Sequence, residues 1–162
     1  MSVAYRAAEP RDRAFIVSGW SSSYRTSHSA GMISMATWGE VMHREITAML
    51  DRPHVSTMVA HNPIDPDPVA DLYGFIAFDR TPRHPYVFYV YVKQHYRNKQ
   101  HARGLFVAAG IDPARPFAYA CRTGAVHRAE RLIPLAKWDP MYARFPEDTR
   151  NEPVIEEKLR HG

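Results

Sequence analysis

Apolar and polar positions along this chain follow two rhythms, and the rhythm changes at punctuation rich in Pro, Asp and Gly. Residues 3–8 read as a short opening strand. Pro10 then suits the first turn of a helix, with Phe15, Ile16, Gly19 and Trp20 following at helical spacing. Residues 21–36 are Ser-rich and aperiodic, which predicts a loop. Thr37 and Glu40 have the spacing of a capping box, and behind them Trp38, Met42, Ile46, Met49 and Leu50 form one apolar stripe ending before Pro53. Residues 55–61 and 72–78 read as a strand pair across the Pro- and Asp-rich turn 62–68. Residues 86–92 (YVFYVYV) are apolar on both faces, as a strand inside a sheet should be. The period then becomes helical, with Ala102, Leu105, Phe106 and Ala109 on one face and Gly110 placed to end the helix. A strand over 117–121 and a helix over 124–133 follow, then a last strand or ordered loop over 137–145.

Composition narrows the class. At 162 residues the chain suits one domain, expected over 1–145, with a charged C-terminal tail over 146–162. No apolar stretch approaches the 18 or so residues of a membrane span, and no 20–50-residue repeat is present. The single cysteine, Cys121, makes no internal bridge, and residues 1–15 hold no secretory apolar stretch. Both point to a reducing, cytoplasmic setting. The net charge of +4 suits an anionic ligand and is too small to argue for nucleic acid by itself. Nine histidines and one cysteine show no paired metal-ligand spacing, so no metal is expected. A Cys121–His127 nucleophile pair is the weaker chemistry, because Cys121 ends an apolar strand where a thiol is usually buried and inert.

The most informative stretch is the strand YVFYVYV followed by the polar segment KQHYRNKQHAR, which opens a helix. Amides in the first turn of a helix lack intrahelical partners and carry the positive end of its dipole, so a loop that gathers them makes an anion site. Lys93, Arg97, Lys99 and Arg103 add long-range attraction.

In this segment the chain resembles the GNAT superfamily of acyl-CoA-dependent N-acyltransferases. The family pattern is a strand ending in Val, a few polar residues, an aromatic, then Arg/Gln-x-x-Gly-x-Gly/Ala at a helix start. Here Arg97 matches the first position and Ala102 the last, while Gln100 stands where the family usually has glycine. The order of elements matches over roughly residues 3–145. The resemblance implies an α/β (α+β) mixed sheet: a central, mostly antiparallel, twisted sheet with a splayed strand pair, flanked by about four helices. It implies acetyl-CoA as co-substrate, its pyrophosphate on Arg97, Asn98, Lys99, Gln100, His101, Ala102 and Arg103. Its pantetheine arm would lie against the backbone of Val90 and Val92.

The implied reaction is attack of an amine on the thioester within one ternary complex. Members often place a Glu on the central strand, and this one has none between Pro85 and Val92. That leaves Tyr89, Tyr91 or His84 as base candidates. Tyr142 is the nearest equivalent of the family's thiolate-protonating tyrosine. Trp20, Tyr24 and Trp38 are expected to line the acceptor pocket. The partner is thus an amine-bearing small molecule, peptide or protein, with neither nucleic acid nor membrane expected and a monomer or homodimer as the working state. The rival reading is a non-catalytic binding module using the basic loop 93–103 and Tyr96 for nucleic acid or a partner. A third is an acyltransferase-like chain that binds ligand without turnover.

Overall fold

A computed structural model of the chain describes residues 2–25, 34–64, 71–97, 99–121, 123 and 133–140. Six strands form one sheet in the order β1-β2-β3-β4-β5-β6: Ala4–Ala7, Ser56–His61, Leu72–Asp79, Tyr86–Val92, Phe117–Tyr119 and Ala136–Trp138. The first four pair antiparallel, and β4, β5 and β6 pair parallel. The helices are α1 (Arg13–Tyr24), α2 (Met35–Leu50) and α3 (His101–Ala108), with short 3-10 turns at Pro10–Asp12 and Gln94–Tyr96. Among the described residues no helix is long and apolar enough to cross a membrane.

Both faces of the sheet are covered. One apolar cluster joins Ile16, Val17 and Trp20 of α1 and Ile46 of α2 to Phe75, Phe88 and Tyr89. The other joins Leu105 of α3 and Ala109, the residue that follows it, to Tyr73, Ile76, Val87 and Phe117. Every residue of β3 is buried, because it lies inside the sheet under helices on both sides. β4 occupies the expected residues, but only its first four are buried and its last three are half-buried. That gradient marks the place where the sheet opens.

Two expectations are corrected. The Ser-rich stretch does not begin the loop: α1 runs to Tyr24, held by the buried ring of Trp20 and by back-bonds from the Ser22 and Ser23 hydroxyls to the carbonyls of Ser18 and Gly19. Burial of one face outweighs the low helix propensity of serine. The Thr37–Glu40 capping box is not used either. α2 begins at Met35, and the Ser34 hydroxyl accepts from the Thr37 amide at 3.3 Å. The helix expected over 124–133, the tail 146–162 and most of 137–145 lie outside the described residues.

The entry to α1 is fixed by an ion pair. Asp12 is fully buried and takes two bonds from the Arg6 guanidinium, at 2.6 and 3.0 Å, plus the Glu9 amide at 2.8 Å. β1 and the start of α1 are thereby locked together.

Candidate active site

β3 and β4 pair along their length, but the register shifts at Ala77/Phe78: Ala77 faces Tyr89 and Phe78 faces Val87, so Phe88 is an extra residue. Such a bulge bends the strand and changes its phase. Phe88 and Tyr89 consequently join the same cluster beneath α1 and α2, while Val87 and Val90 lie on the α3 side. The parallel partner β5 stays with β4 only at Tyr86↔Ala118 and Val87↔Tyr119, and the Ala120 amide makes a further bond to the Val87 carbonyl at 3.0 Å. Beyond that point the described residues show no pairing between the strands. The sheet is split there.

Peptide groups in a strand face alternate sides. The Lys93 amide bonds to the Tyr73 carbonyl of β3 at 2.8 Å, so the peptide groups of Val90 and Val92 face the split. Val92 is already engaged: its carbonyl accepts from Arg97 Nε at 3.1 Å. The Val90 peptide therefore offers an open backbone position, and a ligand donating to the Val92 carbonyl would share it with Arg97.

At the end of β4 the chain makes one 3-10 turn and enters α3. The first i→i−4 bond there runs from the Gly104 amide to the Gln100 carbonyl at 3.0 Å. This leaves the amides of His101, Ala102 and Arg103 without intrahelical acceptors at the positive end of the helix. Lys99 lies over the Tyr96 ring at 5.9 Å and Lys93 over Phe15 at 5.1 Å. The sequence-predicted anion loop thus sits beside the split strand. Asn98 lies outside the described residues.

Gln100 is the N-cap of α3 and has φ 59°, the one positive φ outside glycine among the described residues. This is the position where the family pattern carries glycine. A side chain in the left-handed region costs about 1–2 kcal/mol, most of which glycine avoids. Gln100→Gly is therefore expected to raise unfolding free energy by about 0.5–1 kcal/mol, after allowing for glycine's greater freedom when unfolded. Acetyl-CoA affinity should rise with it, since the backbone can then approach a phosphate more closely. Urea titration and calorimetric binding check the two effects separately.

His101 points inward. It is 7 % exposed, with its ring near Tyr73 and Tyr96 at centroid distances of 5.7 and 6.3 Å, and neither ring nitrogen has a hydrogen-bond partner. Burial, with Lys99 adding to it, lowers its pKa and keeps the ring neutral. Its contribution to an anion site is its backbone amide.

On the α1 side of the split the sequence-predicted aromatics do come together. Tyr89 stacks on Trp20 at 4.9 Å and meets Tyr24 edge-on at 6.2 Å, and Tyr24 lies 5.7 Å from Trp38. Trp20, expected in the pocket lining, is instead core: at 2 % exposure it supports Tyr89 from beneath. Trp38 is also largely buried, its indole N–H donating to the Ser21 carbonyl at 3.2 Å. Tyr24 remains half-buried. Tyr91 packs against Phe15 and Phe75, nearer the loop end of the strand.

Burial raises the Tyr89 phenol well above its ordinary pKa, an effect that the Ser23 hydrogen bond only partly offsets. Tyr89 therefore stays protonated at any physiological pH, and a base role for it is not supported. His84 lies before the start of β4, at the far end of the strand from the α3 loop, about 20 Å away by strand rise. It is not brought to the split. Tyr142 lies outside the described residues. Cys121 follows β5 and faces this cluster; burial pushes its thiol up to about 12, with a Trp20 hydrogen bond opposing, so it is not a ready nucleophile.

The residue that sequence reasoning missed is Ser23. It lay in the presumed loop, yet its hydroxyl is 2.7 Å from the Tyr89 hydroxyl across 66 positions of sequence. Continuing the helical stripe Phe15, Ile16, Gly19, Trp20 by one more turn would have found it.

A shallow groove of about 380 Å³ lies between β1 and α3, bordered by Tyr5, Gln100, Arg103 and Val107. It is three strands away from the split and shares only the start of α3 with it. Among the described residues no group of three or more His, Cys, Asp or Glu could hold a metal ion.

No protein-family model matches the sequence, and no curated protein matches it. Solved structures match its fold. A Pyrococcus furiosus protein described as an acetyl transferase superposes with a TM-score of 0.60 at 15 % identity, covering 81 % of this chain and 91 % of that one. A GCN5-related N-acetyltransferase from Rhodopseudomonas palustris gives 0.53 at 17 % identity, covering 81 % of each. The PaiA N-acetyltransferase of Thermoplasma acidophilum, solved in complex with coenzyme A, gives 0.50 at 17 % identity, over 68 % of this chain and 70 % of that one. With an antiparallel half, a bulged β4, and a parallel partner that leaves it before α3 begins, this chain has the fold of the GNAT acetyltransferases.

Proposed function

We propose that the chain is an N-acetyltransferase that moves an acetyl group from acetyl-CoA to an amine, by direct attack in a ternary complex. The observation that carries this reading is the end of β4–β5 pairing after Val87, which among the described residues leaves the Val90 peptide without a partner strand on the strand that leads into α3. The pantetheine arm would take the place of the missing partner strand, bonding to the Val90 peptide. The pyrophosphate would rest on the amides of His101, Ala102 and Arg103, with Arg97 and Lys99 supplying charge. A backbone N–H facing the split can polarise the thioester carbonyl as charge develops on its oxygen. Holding amine and carbonyl within about 3–3.5 Å supplies much of the remaining acceleration.

Ligand-induced stabilisation tests the reading. Acetyl-CoA at a hundredfold excess over its Kd should add about 2.7 kcal/mol, roughly 5–10 °C in Tm for a chain of this size. A single-stranded oligonucleotide should add nothing beyond a weak, salt-sensitive shift. No shift with acetyl-CoA, together with a strong one from the oligonucleotide, would transfer the basic loop to nucleic-acid binding.

A further inference from the structure

His101 is a buried polar side chain without polar company. Its ring is 7 % exposed, both nitrogens are closed to solvent, and neither has a hydrogen-bond partner. An unmet nitrogen in a protein interior carries a desolvation cost that a leucine at the same place would not. The ring sits in an aromatic cluster. Tyr73 of β3 stacks on Tyr96 of the 3-10 turn at 4.2 Å, and His101 closes against them at 5.7 and 6.3 Å. These rings tie the strand, the turn and the start of α3 together. His101 is also the first residue of α3, directly after the left-handed Gln100, and its own amide is one of those left without an intrahelical acceptor. Packing of the ring thus anchors the turn that presents the free amides.

We propose that His101 is a proton-sensitive clasp: neutral, it holds the α3 end of the coenzyme cradle closed, and on taking a proton it leaves the aromatic cluster and the cradle opens. The ligand in this scheme rests on the acetyl-CoA reading above, whereas the clasp is a property of the chain without coenzyme. The groups around the ring fix the sign. Lys99 of the loop is the charged neighbour, its Nζ 5.9 Å from the Tyr96 ring. β3 and the turn contribute phenols, Tyr73 and Tyr96, and no carboxylate. β1 contributes Tyr5, whose hydroxyl lies against Gly104. β2 and β4 bring Met58, Ala60, Val90 and Val92 to this cluster, and His61 of β2 alternates to the opposite face. Arg103 of α3 is exposed and stands two residues away, off the His101 face of the helix.

A proton on the packed ring would therefore sit in an apolar cluster, beside Lys99, at the positive end of the helix and with no acceptor. Cation–π attraction to Tyr73 offsets only part of that loss. Burial, with Lys99 adding to it, holds the ring's pKa below the ordinary histidine value. A histidine lowered on folding contributes stability that is complete above its unfolded pKa, near 6.5, and is lost as pH falls from there toward the folded value. Acid opens the cradle, and coenzyme binding favours the neutral ring.

The test compares wild type with His101→Leu, which fills apolar space without titrating, and His101→Gln, which keeps polar atoms without titrating. Acetyl-CoA Kd is measured at pH 8 and pH 5, and the ratio is taken within each protein so that the coenzyme's own titration cancels. In wild type the rise in Kd at pH 5 should exceed that of either variant by about threefold or more, with about thirtyfold the ceiling for a histidine of ordinary pKa. His95→Gln, which removes an exposed histidine of the same loop, should keep the wild-type ratio. Without coenzyme, protection of the Gly104 amide against hydrogen exchange should fall from pH 8 to pH 5 in wild type and hold in both His101 variants. Its bond to the Gln100 carbonyl breaks when the turn opens. Equal ratios in wild type and both His101 variants, a flattening that follows His95 instead, or a wild-type Kd that tightens in acid relative to the variants would overturn the clasp. Steady Gly104 protection in wild type would do the same. Should acetyl-CoA bind none of these proteins at either pH, the coenzyme reading fails alone, and Gly104 protection still decides the clasp.

Discussion

Asp12→Ala is expected to cost about 2–3 kcal/mol, because it removes the buried member of an ion pair together with three charge-assisted hydrogen bonds. The Arg6 guanidinium would lose both bonds to Asp12, keeping Glu9 at 3.6 Å and the Ala7 carbonyl at 3.1 Å, and the Glu9 amide would lose its acceptor. Against a typical stability of about 5–15 kcal/mol, much of the population would unfold on mild heating. The pH dependence has a definite sign. Burial pushes the Asp12 carboxyl up, but the Arg6 hydrogen bonds, the Glu9 amide and the charges of Arg6 and Arg11 outweigh it, and the net pKa is lowered. A carboxyl lowered on folding contributes stability that is complete above its unfolded pKa, near 3.9. That contribution is lost as pH falls through the lower folded value. Urea midpoints of wild type and Asp12→Asn should therefore differ at pH 6 and converge as the pH drops below about 4. A constant gap across this range would show that the pair contributes through shape alone.

Gly74→Ala should lower stability by about 3 kcal/mol and weaken acetyl-CoA binding in the same protein. Gly74 lies in β3 opposite Val92. A β-carbon there would overlap the Tyr91 carbonyl oxygen and stand 3.1 Å from Val92 Cα. Backbone atoms cannot swing aside as a side chain can, so β4 itself must move away. The displaced segment carries the Val90 and Val92 peptides and leads into the loop before α3. The strain would therefore reach the proposed pantetheine track, unlike strain elsewhere in the core. Gly39→Ala is the matched control: nothing lies within 4 Å of its added carbon on the exposed face of α2, and it should stabilise slightly. Loss of stability in Gly74→Ala with unchanged coenzyme affinity would separate this strand pair from the binding site.

The site also shows how near a resemblance can come while leaving chemistry undecided. The loop pattern placed an anion site at residues 97–103, and the structure sets unpaired helix amides there beside an open strand edge. The tyrosines of β4 were visible as residues, but their roles were not. Tyr89 and Tyr91 look alike in YVFYVYV. One is joined to Ser23 and stacked on Trp20, and the other is packed between Phe15 and Phe75. The bulge at Phe88 helps produce that difference. A bulge comes from how two strands twist together, and neither strand's own pattern encodes it.

What the amino-acid order determined by itself was local: strands 72–79 and 86–92, the apolar stripes of α2 and α3, the turn chemistry between them, and a basic loop at a helix start. These follow from the alternation of side chains along one backbone and from residues with restricted or permissive φ. Only the tertiary structure decided that α1 continues through a Ser-rich turn, that Trp20 is core, and that β5 leaves β4 after Val87. It also decided that a serine 66 residues away hydrogen-bonds the Tyr89 hydroxyl. Each of these depends on burial or pairing between segments distant in sequence, whose free energy exists only once the segments have met.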